Sequence, residues 1–124
     1  ALAPDTGASY LLPRIVGIAK ALELMWTGDI IDAREAERIG LVSRVVPDED
    51  LMKVAGELAG RIARMPSVAI ELTKCMVYKG LDVSDFAVSQ SYEGLAVSMT
   101  TQTEDFQEGI KSFLEKREPE FKGR

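Results

Sequence analysis

The chain has 124 residues, enough for one domain-sized core and too few for several. Hydrophobic residues make up 46% and charged residues 28%, a composition that excludes disordered, collagen-like and membrane-spanning proteins. The net charge of −5 disfavours general binding to nucleic-acid phosphates. Histidine is absent, which excludes a Ser-His-Asp triad or a histidine-ligated metal site built from this chain alone and leaves carboxylates as candidates for acid–base chemistry.

The first predicted helices lie before Gly40. Gly17 is expected to stop the first of them, and a second is predicted over 18–27, with its apolar side chains on one face. Asp32 and Glu35 have the spacing of a reciprocal capping box, so a short helix is predicted there, closing at Gly40.

One short strand is predicted over 41–46, because the segment is rich in β-branched residues and bounded by Gly40 and Pro47. The backbone donors and acceptors of a lone strand need a partner. We therefore expect the partner strands to precede Ala1 and the chain to be a fragment of a longer protein, as its start without methionine also suggests.

A domain boundary is predicted near Pro47, with residues 1–46 ending one domain and 47–124 forming a second, helical one. The acidic run 48–50 is interpreted as a helix start and a solvated face rather than a metal site, because adjacent acids on a helix point in different directions. Helical spacing of apolar residues predicts further helices from 51 to about 62, from 67 to 80 and from 82 to 99.

The last predicted helix begins among residues 101–103. Thr101 with Glu104 fits a capping box, and Thr103 is an equally good cap. The charged tail, residues 116–124, is predicted to be partly mobile.

The single cysteine, Cys75, cannot form an internal disulfide, and its apolar surroundings in sequence predict a small buried hydrophobe. No signal-peptide pattern and no apolar run of transmembrane length are present. A cytoplasmic location is the resulting expectation.

Asp5 stands among proline, glycine and small residues just before a helix, where a carboxylate can project into a cleft. Two interpretations of Asp5 are open: a helix cap or a catalytic carboxylate. Its Asp-Thr-Gly context is also found in aspartic proteases, but such a site needs two carboxylates sharing a proton and surrounding strands that are absent here.

Four sequence blocks cover nearly the whole chain: residues 2–17, residues 24–29, residues 33–36 with 40–42, and residues 108–109 with 113–117. In this order and spacing they resemble the enoyl-CoA hydratase/isomerase (crotonase) superfamily. They correspond to the C-terminal half of the family's usual length.

The resemblance implies a crotonase-like (ClpP/crotonase) α/β fold in the full protein, with this fragment mainly α-helical plus one short strand. It implies an acyl-CoA hydratase/isomerase in which two backbone N–H groups stabilise an enolate and carboxylates move protons. Some family members carry an aspartate at the position that matches Asp5, so the resemblance favours a catalytic Asp5 and, modestly, double-bond isomerisation over hydration. The fragment alone is expected to be inactive.

The resemblance further implies that Phe113 and Lys116 reach the coenzyme A of a neighbouring subunit, the ring against adenine and the ammonium near a phosphate. The alternative is a core phenylalanine and a solvated lysine. Residues 47–124 would then be a trimerisation domain, giving a homotrimer or a dimer of trimers. No metal or separate cofactor is expected, since coenzyme A is part of the substrate. The competing hypothesis is a non-catalytic helical interaction or assembly module.

Overall fold

The computed structural model describes residues 2–124, and in that range the chain is helical, without a β-strand. Seven α-helices follow one another, and a short 3₁₀ helix at Asp48–Asp50 leads into the fourth. The α-helices are α1 Ala8–Val16, α2 Ile18–Thr27, α3 Ala33–Arg38, α4 Leu51–Ala63, α5 Ser67–Gly80, α6 Phe86–Thr100 and α7 Glu104–Glu115.

The chain divides into two compact units, Ala1–Met52 and Lys53–Arg124. In the first unit α1 packs against α2, and in the second α5 packs against α6. The predicted assignment of residues 1–46 to a core domain and 47–124 to a trimerisation domain stays a prediction.

Glycine separates the first two helices. Gly17 has φ 82° and ψ 158°, a conformation essentially confined to glycine, so the chain turns there from α1 into α2. Asp32 begins α3 as expected: its side chain accepts a hydrogen bond from the Glu35 amide at 2.7 Å. Glu35 does not close a reciprocal box, because its carboxylate instead pairs with Arg38 at 2.6 Å and Lys20 at 3.4 Å.

The strand predicted over 41–46 is wrong for this chain. The amides of Leu41 and Val42 donate back to the Ala36 carbonyl at 2.8 and 3.3 Å, and the Val45 amide donates to Glu37 Oε1 at 2.9 Å. Residues 2–124 offer the segment no neighbouring strand, and three of its amides bond to α3 instead.

Two helix starts in the second unit are settled by side-chain caps. Asp85, rather than Asp82, precedes α6 and accepts from the Ala87 amide at 2.8 Å. Thr103, rather than Thr101, caps α7 and accepts from the Phe106 amide at 3.1 Å. Both residues have extended backbone, which lets the side-chain oxygen reach the free amides of the first turn.

Few side chains are enclosed in either unit. Ala21 and Ala36 are the buried apolar residues among those described in the first unit, and Ala96 in the second. Large apolar side chains are exposed, including Trp26 at 77%. Cys75, predicted to be buried, is exposed, so that prediction is wrong.

None of the helices formed within residues 2–124 combines the length and the apolar character needed to cross a membrane.

Candidate active-site residues

Asp5 lies in a turn whose backbone is left-handed at two consecutive positions. Thr6 has φ 48° and Gly7 has φ 90°, and the Ala8 amide donates to the Asp5 carbonyl at 2.9 Å. A β-branched residue rarely adopts positive φ, and such strain costs on the order of 1–3 kcal/mol. The turn thus holds Asp5 at a defined place before α1.

The carboxylate of Asp5 is exposed and accepts a hydrogen bond from Thr6 Oγ1 at 3.3 Å. Gly7 is the N-cap residue of α1, and no side chain caps that helix. The interpretation of Asp5 as a helix cap is therefore wrong. Its carboxylate can act on another molecule, because no helix amide occupies its oxygens.

Phe113 lies in the last turn of α7, in the second unit, and Lys116 directly follows that helix. The Lys116 amide donates to the Phe113 carbonyl at 3.3 Å, and the Arg117 amide donates to the Ser112 carbonyl at 3.1 Å. This pair of bonds is a Schellman motif, with Lys116 at the left-handed position that glycine usually occupies, at φ 55°. Phe113 is 83% exposed, so it is not a core residue of this chain.

Arg117 fixes the chain directly after Lys116. Its Nη1 and Nη2 donate to the two carboxylate oxygens of Glu108 at 2.5 and 2.9 Å, its Nε donates to Glu115 at 2.7 Å, and Nη1 also reaches the Glu118 carbonyl at 3.0 Å. Bidentate arginine–carboxylate pairing is strong and geometrically specific.

Glu108 receives a third donor, the Glu120 amide at 3.0 Å. These donors, with Arg117 first, hold the pKa of the Glu108 carboxyl at about 2, well below its usual range. The same pairing raises the pKa of the Arg117 guanidinium.

A buried carboxylate holds the end of the tail. Asp105 is 3% exposed and accepts from the amides of Lys122 at 2.6 Å and Gly123 at 2.8 Å, while its own amide donates to the Arg124 carbonyl at 3.1 Å. The tail is thus hydrogen-bonded along α7. Carboxylates of α7 accept from three tail amides, those of Glu120, Lys122 and Gly123, and the expected partial mobility of the tail stays a prediction.

An apolar groove of about 540 Å³ lies beside α7 in the second unit. Phe113 and Leu114 line it together with the half-buried Phe121 from the tail. Phe113 therefore borders this apolar groove, and its ring is exposed enough to stack on a flat ligand.

The predicted site residues are distributed over both units: Asp5 belongs to the first, and Phe113 and Lys116 belong to the second. Among residues 2–124, no group of three or more cysteine, aspartate and glutamate side chains is placed to hold a metal ion.

The sequence reasoning missed Glu108, Arg117 and Asp105 as organising residues. Glu108 and Arg117 are nine apart, which is not a spacing at which helical side chains meet. Asp105 meets amides 17 and 18 positions away. The sequence signal was the four basic residues of the tail, which equal in number the four acidic residues of α7. That equality does not reveal which residues pair.

Comparison with known proteins assigns the family. A family model described as enoyl-CoA hydratase/isomerase matches residues 1–124. A probable enoyl-CoA hydratase of Mycobacterium tuberculosis is 42% identical over 120 residues, covering 96% of this chain and 42% of that protein. A crotonyl-CoA hydratase of Syntrophomonas wolfei is 38% identical over 120 residues, covering 97% of this chain and 46% of that protein.

Solved structures agree with this assignment. The crystal structure of an enoyl-CoA hydratase from Bacillus anthracis matches with a TM-score of 0.96 and 38% identity, over 100% of this chain and 48% of that one. One from Geobacillus kaustophilus matches with a TM-score of 0.93 and 38% identity, over 99% and 48%. The chain belongs to the enoyl-CoA hydratase/isomerase family, and it spans about half the length of the relatives it matches.

Proposed function

We propose that this chain is the C-terminal portion of an acyl-CoA hydratase/isomerase with a crotonase fold, acting on an enoyl-CoA thioester. The observation that carries the proposal is the exposed Asp5 carboxylate, which precedes a left-handed turn and, among residues 2–124, accepts a hydrogen bond from the Thr6 hydroxyl alone, in a chain of this family. The rest of the site, including the two backbone N–H groups that bind the thioester oxygen, belongs to the half of the protein that the longer relatives contain and these residues do not.

In the proposed reaction Asp5 moves a proton. Its carboxylate takes a proton from the carbon next to the thioester carbonyl, and the electron pair moves onto the carbonyl oxygen, where two N–H donors stabilise the enolate. Return of the proton to the γ-carbon completes a shift of the double bond from β,γ to α,β. This step requires no metal ion and no redox cofactor.

An aspartate at this position favours isomerisation over hydration. Hydration must also activate a water molecule, for which a second carboxylate is the natural partner, whereas a proton shuttle between two carbons needs one base. We propose isomerase activity as the main reaction and expect the 124-residue chain by itself to be inactive.

Phe113 and Lys116 are proposed to bind coenzyme A. An exposed ring next to an exposed ammonium matches a ligand with a flat base and phosphates. In this proposal the two residues serve the site of a neighbouring subunit in a homotrimer or a dimer of trimers, and the enzyme works in the cytoplasm.

The test uses the full-length enzyme with the variant Asp5→Asn. The turnover number for isomerisation of a 3-enoyl-CoA is expected to fall about 10²-fold or more, as when a general base is lost. Thermal stability is expected to stay within a degree or two, since the side chain makes one exposed hydrogen bond, which an asparagine oxygen can also accept. Steady-state kinetics with 3-enoyl-CoA and crotonyl-CoA, beside thermal melting, provide both measurements.

Asp29→Asn is the matched control, because Asp29 is equally exposed in the same unit. It should leave turnover unchanged. Unaltered isomerisation in Asp5→Asn would contradict the role of Asp5, and equal loss of stability and activity would point to a structural one.

The second candidate function is a non-catalytic helical assembly module. The exposed apolar side chains of both units favour it as a description of the 124 residues in isolation. Absence of thioester turnover and of coenzyme A binding in the full-length protein would favour this candidate over the enzyme.

A further inference from the structure

We propose that Glu108 and Arg117 form a clamp that positions Lys116 for the phosphates of the coenzyme A thioester. This inference rests on the proposed function, in which Lys116 contacts the substrate. Glu108 and Arg117 are positioning residues here: they act through the backbone of Lys116 and do not touch the substrate.

Lys116 needs external support for its conformation. A non-glycine residue at φ 55° carries a steric cost of roughly 1–2 kcal/mol, and Thr6 is the other residue of its kind in the described chain. Such a conformation persists only where the surroundings determine it. The Lys116 ammonium forms no ion pair among residues 2–124, so the side chain itself does not stabilise this backbone conformation.

The clamp supplies that support from both sides of Lys116. Glu108 lies on α7 about two turns before Lys116. Its carboxylate accepts two hydrogen bonds from Arg117, the residue that follows Lys116. The Glu120 amide, bonded to the same carboxylate, brings the tail back along the helix. Reversal of the chain at Lys116 is therefore fixed at its beginning by α7 and at its end by Glu108.

The consequence is that the backbone conformation of Lys116 restricts the direction of its side chain. With its backbone held in the left-handed region at φ 55°, the Lys116 side chain leaves the helix end in a different direction from that of a helical residue. Loosening of the clamp lets the last turn sample other conformations. The ammonium then becomes less well placed for a phosphate, while the reacting thioester is unaffected.

The test measures two substrates with the full-length enzyme. Arg117→Lys keeps the charge but removes the bidentate fork, and Glu108→Gln keeps the volume but removes the charge. With an enoyl-CoA substrate, each is expected to raise KM about ten-fold, as when a charged contact is lost, with kcat within two-fold. With the matching pantetheine thioester, which has no adenosine and no nucleotide phosphates, neither KM nor kcat should change.

A double-mutant cycle adds the decisive comparison. Lys116→Ala alone should raise KM for the CoA thioester by a similar factor, and Lys116→Ala combined with Glu108→Gln should be no worse than Lys116→Ala. Arg124→Ala is the control, since Arg124 pairs with Glu104 at 3.2 Å in the same tail and should leave both substrates unaffected.

The outcomes separate the two proposals. Absence of thioester turnover in the wild-type enzyme overturns the proposed function and the clamp together. An active enzyme in which Lys116→Ala raises KM but the clamp variants do not, or in which the clamp variants impair both substrates equally, overturns the clamp alone. Additive effects in the cycle overturn it as well.

Discussion

At the residue scale, the two non-glycine residues with positive φ in residues 2–124 are Thr6, beside Asp5, and Lys116. Both candidate sites thus coincide with local backbone strain. Strain of this kind clusters at functional sites, where the surroundings keep a residue in a conformation it would not choose alone. At Lys116 the surroundings are visible as the Glu108–Arg117 clamp, and at Thr6 they include the short turn from Asp5 to Gly7.

The Glu108 ion pair predicts a pH dependence of stability. The pKa of Glu108 is lowered from 4.5 to about 2, so its contribution to the free energy of unfolding is complete above pH 4.5 and is lost as pH falls towards 2. Glu108→Gln is therefore expected to destabilise the protein at pH 7 and to converge with the wild type near pH 2. Denaturant unfolding of both proteins between pH 2 and pH 7 checks this.

Glu57→Gln serves as the control for that titration, because Glu57 is exposed and makes no ion pair within the described chain. At pH 7 its free energy of unfolding should stay within about 0.5 kcal/mol of the wild type. A Glu108→Gln difference that stayed constant down to pH 2 would contradict the ion-pair assignment.

The Asp32 cap was predictable from sequence because its contact with the Glu35 amide, three residues on, is local. The sequence left Thr101 and Thr103 equally plausible as the cap of α7, and the structure selects Thr103. Asp105 was not predictable, because its partners lie 17 and 18 residues away and are brought to it by the reversal of the tail. Whether Asp5, Phe113 and Lys116 act in catalysis and binding remains a prediction.

At the element scale, glycines end the first two helices, Gly17 after α1 and Gly28 after α2. Gly17 occupies a region of φ and ψ that residues with a Cβ scarcely enter, although no neighbouring atom within 4 Å would clash with that Cβ. The junction between α1 and α2 is therefore set by backbone preference and not by packing.

Substitution of two glycines by alanine should have opposite effects. Gly17→Ala is expected to destabilise the protein by roughly 1–3 kcal/mol, because the strained dihedrals remain necessary for the turn. Gly56→Ala, within α4 and with open space around its Cβ, should stabilise by roughly 0.5–1 kcal/mol through higher helix propensity. Thermal or denaturant unfolding of the two variants measures the signs. Equal signs would contradict the conformational explanation.

Helices were predictable and the strand was not, for a physical reason. A helix satisfies its hydrogen bonds within one segment, so capping residues, glycines and apolar spacing suffice to locate α2, α3 and α5. A strand has no internal hydrogen bonds. Residues 41–46 have the composition of a strand, but within 2–124 no partner strand exists, and their amides bond to α3.

At the scale of the whole molecule, apolar surface is the dominant feature. Side chains as large as Trp26, Phe86 and Phe113 are at least 75% exposed, whereas the buried apolar residues described are alanines. Within each unit, large exposed apolar side chains of this kind are typical of a surface that contacts another chain or another part of the same protein.

The 124-residue chain produced alone should therefore bind a hydrophobic-surface dye and self-associate. Dye fluorescence and light scattering at increasing concentration measure both properties. The full-length protein is the control, and its dye fluorescence per molecule is expected to be lower, because under the proposed function a further part of the protein packs on this surface. A monodisperse monomer without dye binding would contradict the expectation.

The sequence by itself determined the helical character of the chain, most of its helix boundaries and its family, because these depend on local hydrogen bonding and on motifs that are continuous in sequence. The tertiary structure alone decided that Gly7 and not Asp5 begins α1, that segment 41–46 stays unpaired, and that the tail is clasped to α7. Each of these three features depends on which acceptor a backbone N–H group bonds to. Sequence does not decide this, because the competing acceptors are brought together only by the folded chain.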